Sequence, residues 1–226
     1  MSIGSPINYT TLIGDTTVDG SIAKWLNHSA IASVADTIVV EAESAIYRSL
    51  RHWRMLTSTT GTLTANTQGV TQINTLALPA DYLEDKVLYI TGTNYQKMTR
   101  RTMEEIIASY SYASNGYLIV QQPMWYFNDQ SNFVFDSASD QAYPYLLYYY
   151  QQPASLSTSG TNWLTQFYPR LLRAACCAAA TEFMKDMGQG NFDRNYWNQI
   201  FLAALVDAQS ESDRHHRAQE IGMILT

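Results

Sequence analysis

Apolar positions recur along this chain in two rhythms, and the order of those rhythms lays out its architecture. Between Asn162 and Asp186, the residues Leu164, Phe167, Leu171, Leu172, Ala175, Cys176, Ala179 and Phe183 fall at spacings of three, four and one. That is the stripe of a helix with one buried face. Pro169 suits the first turn of the main helix, where its missing N–H has no partner to lose. From Ala174 to Ala180 no side chain is larger than Cys, so another helix has room to approach closely. Gly188 and Gly190 then stop the pattern, as glycine does just past a helix C-terminus. A second helix is predicted from about Asn191, with Phe192, Tyr196, Ile200, Ala203 or Ala204, and Val206 or Asp207 marking its turns. A third runs from about Ser33 or Asp36 to Arg51. In it Val34, Ile38, Ala42, Ala45, Ile46, Leu50 and Trp53 lie close to one face, and Glu41, Glu43, Arg48 and Arg51 are expected mostly to point elsewhere. A shorter helical pattern from Ser21, carrying Ile22, Trp25 and Leu26, is interrupted by Asn27, His28 and Ser29. Residues 1–19 read as an extended arm or loop.

After Arg54 the rhythm changes to alternation. Residues 55–78 are Thr-rich and alternate around Leu63 and from Val70 to Leu76, which reads as strands with polar turns. A short turn is expected at Asp81–Asp85 and a strand from Lys86 to Thr91, with a tight connection through Gly92 to residues 96–99. Thr102 and Glu105 have capping-box spacing, so a short helix is predicted from Met103 to Tyr110. Asn115-Gly116 is a turn signal before a strand at Tyr117–Gln121. Aromatic strands follow at Met124–Asn128 and Asn132–Asp136, and a tyrosine-dense strand at Tyr143–Gln151. Pro153 to Gly160 is a Ser/Thr/Gly loop back to the helices.

These patterns predict an α+β chain that is mainly helical: a helical bundle made by the N- and C-terminal helices, with an inserted antiparallel β region. The expected divisions are residues 1–56 for the arm and first helices, 57–159 for the insert, and 160–226 for the C-terminal hairpin and tail. Trp25, Ile38, Trp163, Phe167, Leu171, Leu172, Phe183 and Trp197 are the expected helical core.

Composition sharpens the picture at one point. Charged residues make up only 15% of the chain, while there are sixteen tyrosines and five tryptophans. Low charge with many Tyr and Trp suits surfaces that meet other protein, although strands use Tyr and Thr for their own reasons. The net charge of −6 is concentrated in residues 57–150, which hold four basic and eight acidic side chains. Such a chain repels phosphates, which disfavours ordinary nucleic-acid binding. No apolar run approaches the roughly 18 residues of a membrane span, and no basic-then-apolar segment opens the chain, so neither a membrane protein nor a secreted one is expected. Cys176 and Cys177 are neighbours on a helix and point apart. They are expected to be small buried residues without an intrachain disulfide.

Candidate chemistry is sparse. His28, His52, His215 and His216 lack a second ligand at metal-site spacing, so no metal and no cofactor is expected. His215 and His216, within Asp213–Arg217, read as solvated residues or a contact surface. No Gly-x-Ser-x-Gly elbow, phosphate loop or His-Glu-x-x-His is present. Gly188 and Gly190 follow a helix rather than a strand and read as a helix stop. The carboxylate pairs Glu84/Asp85 and Glu104/Glu105 are sequence neighbours in a turn and at a helix start, and read as solvated charge rather than as a hydrolytic pair. The chain is not expected to be an enzyme. A glycan-binding or glycan-cleaving module on the aromatic strands (Trp125, Tyr126, Tyr148 to Tyr150) is the competing reading from another class.

The order of several motifs resembles the head–tail adaptor proteins of short-tailed phages. The carriers are Ala23-Lys-Trp-Leu-Asn-His-Ser-Ala30, Glu41-Ala-Glu43 and Tyr47-Arg-Ser-Leu-Arg51, then Leu78-Pro-Ala-Asp-Tyr-Leu-Glu84 and Val87-Leu-Tyr89. Leu147-Tyr-Tyr149, Pro153-Ala-Ser-Leu156, Asn162-Trp-Leu164, Tyr168-Pro-Arg-Leu-Leu172, Trp197 and Phe201 complete them. The resemblance covers about Ile22 to Val206. It implies a structural virion protein that forms a ring of twelve subunits beneath the portal, extends the DNA channel and receives the tail nozzle and fibres. Its partners would be the portal protein, nozzle and fibre proteins and further copies of itself, with DNA passing unbound; assembly would take place in the host cytoplasm. Another neck or nozzle component is the alternative within the same class. The polar stretch from Asp207 to Gln219 and the apolar Ile221–Leu225 are expected to be mobile in the free subunit and to dock on the portal. Arg214, Arg217, Ile221, Met223, Ile224 and Leu225 would be the contacts.

Overall fold

The structure is a computed structural model that describes residues 7–66, 74–92, 94–109, 120–185 and 194–224, with Ser109, Lys185 and residues 218–224 described by their backbone alone. The chain forms two compact units, one from Met1–Met55 together with Pro153–Thr226, the other from Leu56–Gln152.

The first unit is helical. Its elements are α1 (Tyr9–Leu12), α2 (Ile22–Trp25), a 3-10 turn at Ser29–Ser33, α3 (Ala35–Ser49) and a second 3-10 turn at Trp53–Met55. The residues expected as an extended arm thus include a short helix, because the Asn8 side chain accepts the Thr11 N–H and Leu12 is buried. Ser21 caps α2 by accepting the Lys24 N–H, and the helix ends at Asn27, whose φ of 48° is a left-handed conformation that Asn tolerates. On α3 the Ile38, Val39, Ala42, Ile46, Tyr47 and Leu50 side chains are buried.

The second unit holds β1 (Leu56–Leu63), β2 (Thr75–Ala77), β3 (Tyr82–Ile90), β4 (Gln96–Lys97), β5 (Thr99–Arg100), α4 (Met103–Ser109), β6 (Trp125–Asn128), β7 (Asn132–Phe135) and β8 (Tyr143–Gln151). The expectation of a mainly helical protein is therefore corrected. The described residues contain eight strands in two four-stranded sheets, ordered β1-β8-β3-β4 and β2-β7-β6-β5, and the class is α+β. Nor is the region wholly antiparallel, since β5 and β6 run parallel. The alternating aromatic and aliphatic residues give both sheets an apolar face, and these faces meet in one core that includes Leu88, Met98, Tyr126, Phe133, Phe135, Leu147 and Tyr149. Of Asp81–Asp85, expected as a turn, Asp81 lies in a turn but Tyr82–Asp85 opens β3, a strand with two register shifts against β8. The Thr102–Glu105 capping box is present, with each side chain accepting the other's backbone N–H. The Asn115-Gly116 turn, Val70–Ile73 and Tyr117–Ile119 lie outside the described residues.

Back in the helical unit follow α5 (Leu156–Ser159), α6 (Trp163–Phe167), α7 (Pro169–Lys185) and α8 (Arg194–Ile224). Helix α7 begins at Pro169 and packs against α3 on one side and α8 on the other through its small side chains. Ala174, Ala175, Cys176, Cys177, Ala178 and Ala180 are all buried. The polar stretch from Asp207 onward lies within α8, which runs through Ile224. Ala204, Ala208 and Ser212, spaced by four, form its buried side.

Candidate functional site

Two buried polar clusters tie the helical unit together, and sequence reasoning missed both. The first centres on Glu43, which was expected to point away from the core. It lies in phase with Val39, Ile46 and Leu50 and is buried with them. Its carboxylate accepts hydrogen bonds from the Ser155 hydroxyl (2.8 Å), the Leu156 backbone N–H (3.1 and 3.3 Å to its two oxygens) and the Asn162 side-chain amide (3.2 Å). Burial raises its pKa, and the hydrogen bonds from Ser155, Leu156, Tyr47 and Asn162 hold it down. Asn162 in turn caps α6, accepting the Leu164 and Thr165 N–H groups in a capping box. One carboxylate of α3 thus anchors the segment that re-enters the helical unit. Nearby, Gly160 ends α5 with a φ of 73°, and its carbonyl accepts the Tyr9 N–H at 2.8 Å. The Tyr9 hydroxyl donates to Asp36 at 2.5 Å, which pushes its pKa up to about 12.

The second cluster surrounds His52. Its ring stacks on Trp163 (centroids 5.0 Å apart, planes 10° apart), and its Nδ1 accepts the Arg54 backbone N–H at 3.2 Å. That acceptor role leaves the proton on Nε2, which donates to the Tyr168 hydroxyl at 3.0 Å. Burial lowers the His52 pKa to about 4, with Glu211 opposing and Arg54, His215 and His216 reinforcing the shift. The ring is therefore neutral at pH 7. Trp53 donates its backbone N–H to Ser212 Oγ (3.1 Å) and stacks on His215 (4.2 Å, 4°). Thus His215, expected as solvated or as a contact surface, packs on an aromatic ring of its own chain. The Arg54 guanidinium lies over the rings of Trp53 (4.3 Å) and Phe167 (3.6 Å).

Of the residues expected to form the helical core, Ile38, Leu171 and Leu172 are buried, and Trp163 and Trp197 are half-buried. Trp25, Phe167 and Phe183 are 47%, 51% and 39% exposed and do not belong to it. For Phe167 the cause is the break at Tyr168, whose φ of −129° and ψ of 49° end α6 before α7 starts. A residue before proline is driven out of the helical region, so the stripe does not run through that point. Phe183 sits about 100°, one residue's rotation, from the centre of the sector marked by Ala180, Thr181 and Met184. Trp25 lies under the Arg173 guanidinium at 4.2 Å and meets Trp197 edge-on at 6.3 Å. Arg214 and Arg217 are exposed on α8. Ile221, Met223 and Ile224 belong to its last turns, where only the backbone is described, and Leu225 lies outside the described residues.

Among the described residues no group of His, Cys, Asp and Glu could hold a metal ion. No helix among them is long and apolar enough to cross a membrane. What the helical unit does present outward is apolar surface. Leu202 and Val206 on α8 are 59% and 67% exposed, and Tyr196 on α8 and Val40 on α3 are also exposed. A helix with apolar residues on both its packed and its open side suits a surface that other protein covers. The family model for the SU10 adaptor protein matches residues 10–222. The chain belongs to that family and is a phage adaptor protein, a structural component of the virion. No curated protein matches it.

Proposed function

We propose that this adaptor forms a ring of twelve copies below the portal, extends the DNA channel and receives the tail nozzle and fibres. The observation that carries this reading is the set of exposed apolar side chains on α8, Leu202 and Val206 foremost, in a chain of the adaptor family. A single subunit leaves them in water, whereas a neighbouring subunit buries them. The net charge of −6 supports a channel that DNA traverses without being held, because an acidic wall does not gather phosphates. Assembly takes place in the host cytoplasm, and the C-terminal stretch, with Arg214, Arg217, Ile221, Met223, Ile224 and Leu225 as contacts, docks on the portal.

The test is the mass in solution, by light scattering, of the purified chain alone and mixed with its portal. A large stoichiometric complex that is lost in L202S/V206S supports the ring. A chain that stays monomeric beside portal refutes it. Retained head attachment after deletion of residues 218–226 would sink the docking role of the helix end.

A further inference from the structure

The β unit contains only four basic side chains, Lys86, Lys97, Arg100 and Arg101, against eight acidic ones. Three of those four, Lys86, Lys97 and Arg100, line a single cavity of about 390 Å³. Two features of the fold bring them together. Between Asp85 and Val87 the pairing of β3 with β8 slips by one residue: Asp85 faces Tyr149 and Val87 faces Tyr148, which leaves Lys86 as the extra residue of a bulge. In a regular strand Asp85 and Lys86 point to opposite faces. The bulge re-aims the lysine, and both residues line the cavity. Lys97 and Arg100 arrive from the other side, where the chain passes from β4 of one sheet to β5 of the other through the buried Met98.

The one carboxylate in the wall is already engaged. Asp85 has a side chain only 4% exposed and accepts from the Tyr82 hydroxyl (2.6 Å), the Tyr126 hydroxyl (2.7 Å) and Arg100 Nη1 (3.2 Å). It fixes Arg100 at the rim, with the guanidinium still about half exposed. Lys86 and Lys97 have no ion-pair partner among the described residues. A cavity with three cations and one internally bonded carboxylate is therefore short of negative charge, and Thr99 adds a hydroxyl at its edge.

We propose that this cavity is a docking site for a carboxylate side chain in an acidic segment of a partner protein. A fixed guanidinium fork with two flexible ammonium groups matches a single planar carboxylate. A nucleic acid is the poorer occupant. Its affinity comes from many phosphates neutralised along a track, whereas these cations converge on one point of a unit that is otherwise acidic. The site concerns the β unit alone and stands apart from the ring reading, so it is measurable whether or not rings form.

The test uses the full chain and a fluorescein-labelled tetraglutamate peptide, followed by anisotropy, with tetraglutamine and a short duplex DNA as comparators. Tetraglutamate should bind and tetraglutamine should not. K86A/K97A should weaken binding at least about tenfold without lowering the melting temperature, whereas R48A/R170A, which removes two cations from the helical unit, should leave it unchanged. Equal losses in the two double variants would overturn the proposal, and so would an absence of peptide binding. Duplex DNA that binds more tightly than the peptide and loses that binding in K86A/K97A would also overturn it and make the site a phosphate site.

Discussion

Replacing Glu43 is the sharpest test of how the helical unit is held together. Glu43→Ala removes the acceptor for four donors, namely the Ser155 hydroxyl, the Leu156 N–H, the Asn162 amide and the Tyr47 hydroxyl. Leu156 is fully buried, so its N–H cannot turn to water and bears an unmet cost of about 1–3 kcal/mol. Ser155 and Asn162 are closer to solvent and rehydrate in part. Asn162 keeps its Oδ1 cap on α6 and its contact to the Tyr47 hydroxyl, so it adds little, while release of a carboxylate whose pKa burial has raised returns a fraction. The net expectation is a loss of about 2–4 kcal/mol. Glu43→Gln keeps the shape and one carbonyl acceptor for Leu156, and should cost less than half as much. The assay is urea unfolding followed by tryptophan fluorescence, which suits the question because Trp25, Trp53, Trp163 and Trp197 lie in the helical unit and only Trp125 in the other. A loss below about 1 kcal/mol for the alanine variant, or equal losses for alanine and glutamine, would refute the idea that the carboxylate anchors the returning chain.

His52, neutral with a folded pKa of about 4 against an unfolded value near 6.5, makes the unfolded state bind more protons between those limits. Stability should therefore fall as the pH drops from 7.5 to 5, by about 2 kcal/mol, and this slope should appear in the wild-type-minus-His52→Gln difference; a difference that does not change with pH rejects the assignment. Burial raises both thiols, Cys177 to about 12, so neither cysteine should react with an aromatic disulfide reagent at pH 8 until urea unfolds the chain, and rapid native labelling contradicts this. Leu147→Ala on the central strand β8 opens a cavity in the sheet core and should cost about 2–5 kcal/mol in thermal or urea unfolding. Gly61→Ala places a Cβ 2.6 Å from the Tyr145 hydroxyl across the β1–β8 pair, so the ring must swing out, at about 1–2 kcal/mol; a neutral result shows that the ring is free to move.

Elements bounded by local signals were legible in the sequence. Proline starts α7, the Thr102–Glu105 box starts α4, and the tyrosine run Tyr143–Gln151 is β8 to the residue. What failed needed partners distant in sequence. The buried side of distal α8 is carried by Ala204, Ala208 and Ser212, small residues whose spacing of four is helical but whose composition reads as a polar tail. Glu43 sits in the apolar phase of α3, but only its donors at residues 155–162 make its burial tolerable. The Phe167 error came from carrying one helical phase through Tyr168. The bulge at Lys86 is a property of strand pairing, so nothing local in the sequence reveals that three of the unit's four cations meet.

The ladder between β1 and β8 has a consequence for the length of chain it encloses. The β unit begins at Leu56 and ends at Gln152, and Leu56 pairs directly with Tyr150. Entry and exit are therefore neighbouring strands, about 5 Å apart at their Cα atoms. The sequence between them can be shortened without moving the ends, and a tight two-residue loop would be enough to reseal the remaining chain. The helical unit would then keep its two chain ends side by side whatever length of sequence the β unit holds.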